Sequence, residues 1–166
     1  MIACAGIRVL EIADGFGAAS LCGQLFAKLG AQVVKLESQG GDSSRRCGPL
    51  APDGTAYQFH LVNAGKESVL LPPEAEGARK VWLRLVEGAD VVVVEGASTS
   101  FPDSLSVPQA FCDRWPAKVL CTTSIFGNQS ARKEWVGNEL IAEAMGGVMA
   151  CTGYPERPPV CSGVPY

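Results

Sequence analysis

The stretch Ile7–Glu37, IRVLEIADGFGAASLCGQLFAKLGAQVVKLE, leaves the chain few folds to choose from. Ile7–Ile12 is a short aliphatic run of the kind that fills a buried strand, and Asp14-Gly15-Phe16-Gly17 is a glycine-containing turn. Ala18–Leu29 carries Leu21, Cys22, Leu25, Phe26 and Leu29 at i, i+3, i+4 spacing, which predicts a helix with those side chains on its buried face. Gly30 follows where a helix end favours positive φ, and Gln32–Glu37 is a second apolar run ending in an acid. Strand, turn, helix and strand make a βαβ unit, which requires parallel strands. The first turn then lies at the carboxyl edge of the sheet, where open α/β sheets bind ligands.

With 166 residues, 47% apolar and 19% charged, the chain can bury a full core and is not of disordered composition. A net charge of −3 offers no basic surface for nucleic acid, so an anionic ligand has to be met by local cations. Seven cysteines without CxxC spacing, mostly inside apolar or helical stretches, read as reduced, partly buried thiols of a cytoplasmic protein. One histidine and no paired ligands leave no metal site to expect. No apolar run reaches the roughly 18 residues that span a bilayer, and the start does not read as a signal peptide, so no membrane association is expected.

Ser38–Tyr57 is rich in Gly, Pro, Ser and Asp and reads as a loop. It follows a strand's carboxyl end and carries Arg45 and Arg46, which are either solvated charges or a phosphate contact. Asn63-Ala64-Gly65-Lys66 is a turn and Ser68–Leu71 a strand, placing Lys66 at the strand's entrance, where a lone lysine is ordinarily solvated. Glu74–Glu87 reads as a helix with Trp82 as a core anchor and Glu74 and Glu76 complementing its dipole. Asp90–Glu95, DVVVVE, is a strand buried on both faces. Then come a loop (Gly96–Pro102), a helix (Val107–Trp115), a strand (Lys118–Ser124), a polar loop around Phe126-Gly127 (Ile125–Trp135), a helix (Asn138–Ala150) and an extended tail (Cys151–Tyr166). The order predicts an α/β fold, a doubly wound Rossmann-like and mostly parallel sheet over residues 1–150, with residues 151–166 leading away from it.

The turn admits two ligand classes. Gly15-Phe16-Gly17-Ala18-Ala19-Ser20 approaches GxGxxG, with Ser20 in the third glycine's place, and Glu37 ends the second strand about 20 residues on, where a ribose-binding acid belongs in an NAD-type domain. The other class is CoA. In order along the chain stand GIRVLEIADG at Gly6–Gly15, LFAKLGAQVVKLE at Leu25–Glu37, GGDSSRRCGP at Gly40–Pro49, NAGKESVLL at Asn63–Leu71, ADVVVVE at Ala89–Glu95, IFG at Ile125–Gly127 and NELIAEAMGGVMACTGYPERPPVCSGVP at Asn138–Pro165. On these motifs the chain resembles the N-terminal part of the class III CoA-transferases, the CaiB/BaiF group, which includes formyl-CoA transferases and α-methylacyl-CoA racemases.

The resemblance implies that CoA or an acyl-CoA thioester is the ligand, with no prosthetic group. It implies a site lined by the turn Asp14, Gly15, Phe16 and Gly17, by Lys66, and by the loop at Phe126 and Gly127. Arg45 and Arg46 are the further cations available for phosphates. In transferases of the family an aspartate attacks the thioester, giving an anhydride and then an aspartyl-CoA thioester, and finally passes CoA to an acceptor acid. That aspartate follows the SGVP-type segment and is expected beyond Tyr166, so no catalytic residue is assigned within the chain, which is expected to be inactive alone. The family's histidine of the racemase branch is Asn138 here, and its NFRPG-type loop is replaced by Gly96-Ala97-Ser98-Thr99. Members have a smaller second domain and interlocking subunits, which implies a homo-oligomer or a partner domain. A third reading is a non-catalytic, degenerate domain used for assembly, in which Asp14, Arg45 and Lys66 serve only solvation and turn formation.

Overall fold

The computed structural model describes residues 2–96 and 108–163. The chain forms two compact units, Met1–Thr123 and Ser124–Tyr166, with the division falling inside the segment read from the sequence as one domain. The first unit holds five parallel strands, β1 (Arg8–Ile12), β2 (Gln32–Glu37), β3 (Lys66–Leu70), β4 (Val91–Glu95) and β5 (Val119–Thr123), in the order β3-β2-β1-β4-β5. That is the doubly wound order, with its switch point between β1 and β4. The helices are α1 (Ala18–Lys28), α2 (Tyr57–Asn63), α3 (Ala78–Gly88) and α4 (Pro108–Arg114), with a 3₁₀ turn at Ser43–Arg46.

Alternation along the strands sorts the two faces. Leu10, Ile12, Leu36, Val92 and Val94 join Trp82 and Val86 of α3 and Phe111 of α4 in one cluster. Trp82 is the expected anchor, 1% exposed and edge-on to Trp115 at 6.1 Å. Val9, Ala13, Val33 and Val93 face the other way, onto Ala19 of α1.

Several elements depart from the sequence reading. The stretch Ser38–Tyr57 is not wholly irregular: it contains the 3₁₀ turn and a Leu50–Ala56 bridge, and α2 follows directly. The helix expected from Glu74 begins at Ala78, after Gly77 at φ 76°, so Glu74 and Glu76 precede it and do not sit in its first turn. The buried face of α1 is also rotated from the one expected: Cys22 and Phe26 pack against the core, but the three leucines do not. Leu21, Leu25 and Leu29 are exposed, whereas Ala19, Ser20, Gly23 and Gln24 are buried and Cys22 and Phe26 partly so. Small residues face the sheet because charged side chains rise from it there. Cys47, Cys112, Cys151 and Cys161 are exposed, and only Cys4, Cys22 and Cys121 are partly buried.

In the second unit, the helix expected over Asn138–Ala150 is α5 (Glu139–Met145), followed by a 3₁₀ turn at Val148–Cys151. Gly147 at φ 83° breaks it. Asn138 caps α5, its side chain accepting from Ile141 N at 3.2 Å. Most of the Gly96–Pro102 loop and Val107 lie outside the described residues. Among the described residues, no helix is long and apolar enough to cross a membrane, and no group of three His, Cys, Asp or Glu side chains could hold a metal ion.

Candidate functional site

On the α1 side of the sheet the strands change character along their length. Val9 gives way to Glu11, Val33 to Lys35 and then Glu37, and Val93 to Glu95, so the carboxyl half of this face is a charged layer. Glu11 and Lys35 are register partners on adjacent strands. Lys35 Nζ lies 2.9 Å from Glu11 Oε1 and 2.7 Å from Asp42 Oδ2, and donates to Ala13 O at 3.0 Å. Lys66 Nζ lies 2.7 Å from Glu11 Oε2 and donates to Ser20 O and Asn63 Oδ1, both at 2.9 Å. These four ionic side chains are at most 1% exposed and carry two charges of each sign. Burial drives the Lys35 pKa down, but Glu11 and Asp42 outweigh it and the net shift is upward. For Lys66 burial wins over the attraction of Glu11, with repulsion from Lys35 adding to it, and the shift is downward.

The layer holds up the first turn. Gly15 N donates to Asp42 Oδ1 at 3.1 Å, and Ser43 N donates to Asp14 Oδ1 at 2.7 Å, so the two aspartates exchange amide bonds between the turn and the 3₁₀ segment. Asp42 also caps that segment, accepting from Ser44 N at 2.8 Å and from the Ser44 hydroxyl. Ser20, in the third glycine's place, donates its hydroxyl to Gly15 O at 3.0 Å. Glu95, at the end of β4, lies near the backbone amide of Asp14. Burial raises the Glu95 pKa against the downward pull of that amide, and the nearby charges of Asp14 and Asp42 push the same way as burial. Two glycines of α1 make room for these acids. A Cβ on Gly17 would lie 2.1 Å from Glu95 Oε1, and one on Gly23 would lie 1.8 Å from Glu11 Oε2.

The residues named from the sequence are distributed unevenly. Asp14, Gly15, Phe16 and Gly17 form the turn at the sheet's switch point, with Asp14 exposed. Lys66 is not solvated: its ammonium is turned inward and bonded three times over. Arg45 forks onto Glu37, Nε to Oε2 at 2.8 Å and Nη2 to Oε1 at 2.6 Å, and its guanidinium lies 4.0 Å from the Phe59 ring centroid. Glu37 also accepts from Asp42 N at 2.7 Å and Ser68 Oγ at 2.6 Å. Burial would raise its pKa, but these bonds and the Arg45 charge hold it at about 2. Its carboxylate is thereby committed within the protein. Arg46 is exposed and gives Nη1 to Gly40 O at 2.8 Å, leaving most of a five-donor guanidinium toward solvent. Phe126 and Gly127 belong to the second unit, where Phe126 packs edge-on to Trp135 at 5.8 Å above Gly137.

Sequence reasoning missed Glu11, Lys35, Asp42 and Glu95 as site residues. The signal was present: opposite charges inside two apolar strands joined by one helix have to meet across a parallel pair. Chemically, the arrangement is a rigid platform whose charges neutralise one another, with an exposed arginine, Arg46, at the end of the 3₁₀ segment that bonds to the turn.

A model of CoA-transferase family III matches residues 4–166. The chain is 33% identical over 141 residues to an acetyl-CoA:oxalate CoA-transferase of Acetobacter aceti, covering 84% of this chain and 36% of that protein. It is 31% identical over 172 residues to a succinate–glutarate CoA-transferase of Agrobacterium fabrum, covering 96% and 41%. Among solved structures, a CaiB/BaiF family protein from Brucella suis superposes with a TM-score of 0.86 at 32% identity, covering 97% of this chain and 43% of that one. The chain thus spans well under half the length of these relatives.

Proposed function

Because the chain belongs to CoA-transferase family III, we propose that it is the CoA-facing N-terminal part of an enzyme that moves CoA between carboxylic acids. The match over residues 4–166 carries this reading. CoA or an acyl-CoA thioester is the ligand, and no prosthetic group takes part. Within the first unit the CoA contacts are Asp14, Gly15, Phe16, Gly17, Arg45, Arg46 and Lys66; Phe126 and Gly127 are proposed separately, as contacts of the second unit. The exposed guanidinium of Arg46 meets a CoA phosphate, while Arg45 and Lys66 hold the platform through Glu37 and Glu11. None of these residues is assigned as the attacking carboxylate of the family's reaction.

Calorimetric titration with CoA, acetyl-CoA and NAD tests this. Saturable CoA binding is expected, weakened about tenfold or more in Arg46→Ala by loss of a charge-assisted contact. Binding of NAD without CoA would overturn the reading. Heat from none of the three would favour the assembly role, which the internal use of the Arg45 and Lys66 cations also supports.

A further inference from the structure

In dinucleotide-binding turns of this strand order, backbone amides at the first βα turn and the N-terminus of the following helix face the pyrophosphate. Here the turn already faces two of the protein's own anions. Gly15 N donates to Asp42 Oδ1 at 3.1 Å, and the Glu95 carboxylate lies against Gly17. The Glu95 carboxylate reaches the turn from β4, across the switch point from β1, and stands so close to Gly17 that no Cβ fits between them. Asp42 reaches it from the opposite side and is fixed there by Lys35 at 2.7 Å and by its cap on Ser44. Gly17 is the N-cap of α1, a helix of 11 residues, so the acid Glu95 lies where that helix's dipole attracts negative charge.

We propose that Glu95 and Asp42 are specificity-determining residues, the protein's own anions at this turn, which exclude phosphate from it and leave it to an uncharged part of the ligand. The GxGxxG-like sequence is then a turn of the right shape with its anion site filled from within. Two features fit this assignment. Glu37, which would read a ribose in a dinucleotide site, is saturated by Arg45, Ser68 and Asp42 N. Ser20 ties the turn closed through Gly15 O. The inference does not depend on CoA being the ligand, since it concerns what the turn refuses.

The test is an amide NMR titration of the 166-residue chain with inorganic pyrophosphate at low ionic strength, read at Gly15 and Gly17. In the unaltered protein these resonances should stay in place. In Glu95→Gln, which keeps the side chain's size and one oxygen but removes the charge, they should move saturably, with affinity raised about tenfold or more. Asp42→Asn, which keeps an acceptor for Gly15 N, should act in the same direction and provides a second variant if the first fails to fold. Saturable shifts at Gly15 and Gly17 in the unaltered protein would overturn the proposal. So would a folded variant whose two resonances do not respond. CoA titration of the unaltered protein separately decides the family-based reading, so the two can fail independently.

Discussion

Replacing Lys35 with methionine removes one positive charge from a layer that holds two of each sign and keeps much of the side chain's length. Lys35 touches Glu11 Oε1 at 2.9 Å, Ala13 O at 3.0 Å and Asp42 Oδ2 at 2.7 Å, at 1% exposure. Glu11 would keep Lys66 as a partner. Asp42 would keep its amide bonds but lose its ion pair, leaving a buried charge uncompensated. Stranding one partner of a buried pair costs about 3–5 kcal/mol. For a chain of this size each kcal/mol moves the melting temperature by about 2–4 °C, so a drop of about 6–20 °C is expected. Calorimetry or urea melts near neutral pH suit the measurement. The Lys35 pKa is raised in the folded protein, so its contribution is complete below the ordinary lysine value and is lost only as pH climbs through the folded one. Adding Asp42→Asn should restore about 1–3 kcal/mol, because the two losses share one contact. A single variant within about 1 kcal/mol of the unaltered protein, or losses that simply add, would refute the picture of a mutually dependent layer.

Three further outcomes are expected. The Glu37 carboxyl is held at about 2, below its unfolded value, so its stabilisation is present above the ordinary glutamate range and is lost as pH falls from there toward 2. Glu37→Gln should flatten that part of an acid-unfolding profile, by about 2 kcal/mol once screening on the partly open Arg45 side is allowed for. Gly23→Ala would push a Cβ into Glu11, whose two oxygens are pinned by two lysines, and should cost about 2 kcal/mol in urea melts; Gly88→Ala in α3, with open space around it, serves as a control and should cost nothing. Asn138→Ala removes the cap of α5 and should cost that helix about 1 kcal/mol, read as faster amide exchange at Ile141.

Much of the fold was legible because strand burial writes itself as aliphatic runs: Val91–Glu95 and Gln32–Glu37 fall where the sequence puts them. The parallel arrangement followed from a helix joining them. The facing of α1 was only partly legible from its apolar pattern, which placed Cys22 and Phe26 correctly. Leu21, Leu25 and Leu29 have the spacing of a buried stripe, but the helix turns its small residues inward because Glu11 and Glu95 stand beneath Gly23 and Gly17. That preference comes from tertiary contacts. The turn Asp14–Gly17 was found from local chemistry alone. The burial of Lys66 was not, since its partners Glu11, Ser20 and Asn63 come from three separate segments. The exposed Arg46 and the committed Arg45 are neighbours that no sequence rule separates; only the Glu37 carboxylate distinguishes them.

The charged layer also bears on β3, which lies at the edge of the sheet with little of its own surface buried. Such a strand would ordinarily fray and offer its open backbone to another chain. Here Lys66 reaches inward to Glu11 at one end of β3, and Ser68 bonds to Glu37 in its middle. Detaching the strand would leave Glu11 with one cation fewer and Glu37 with one donor fewer, both in the interior. Peeling this edge therefore carries a cost set by buried charge instead of by the sparse apolar contacts of the strand. In hydrogen-exchange terms, β3 should open together with β1 and β2 as one cooperative unit, and its amides should be protected far beyond what its exposure suggests.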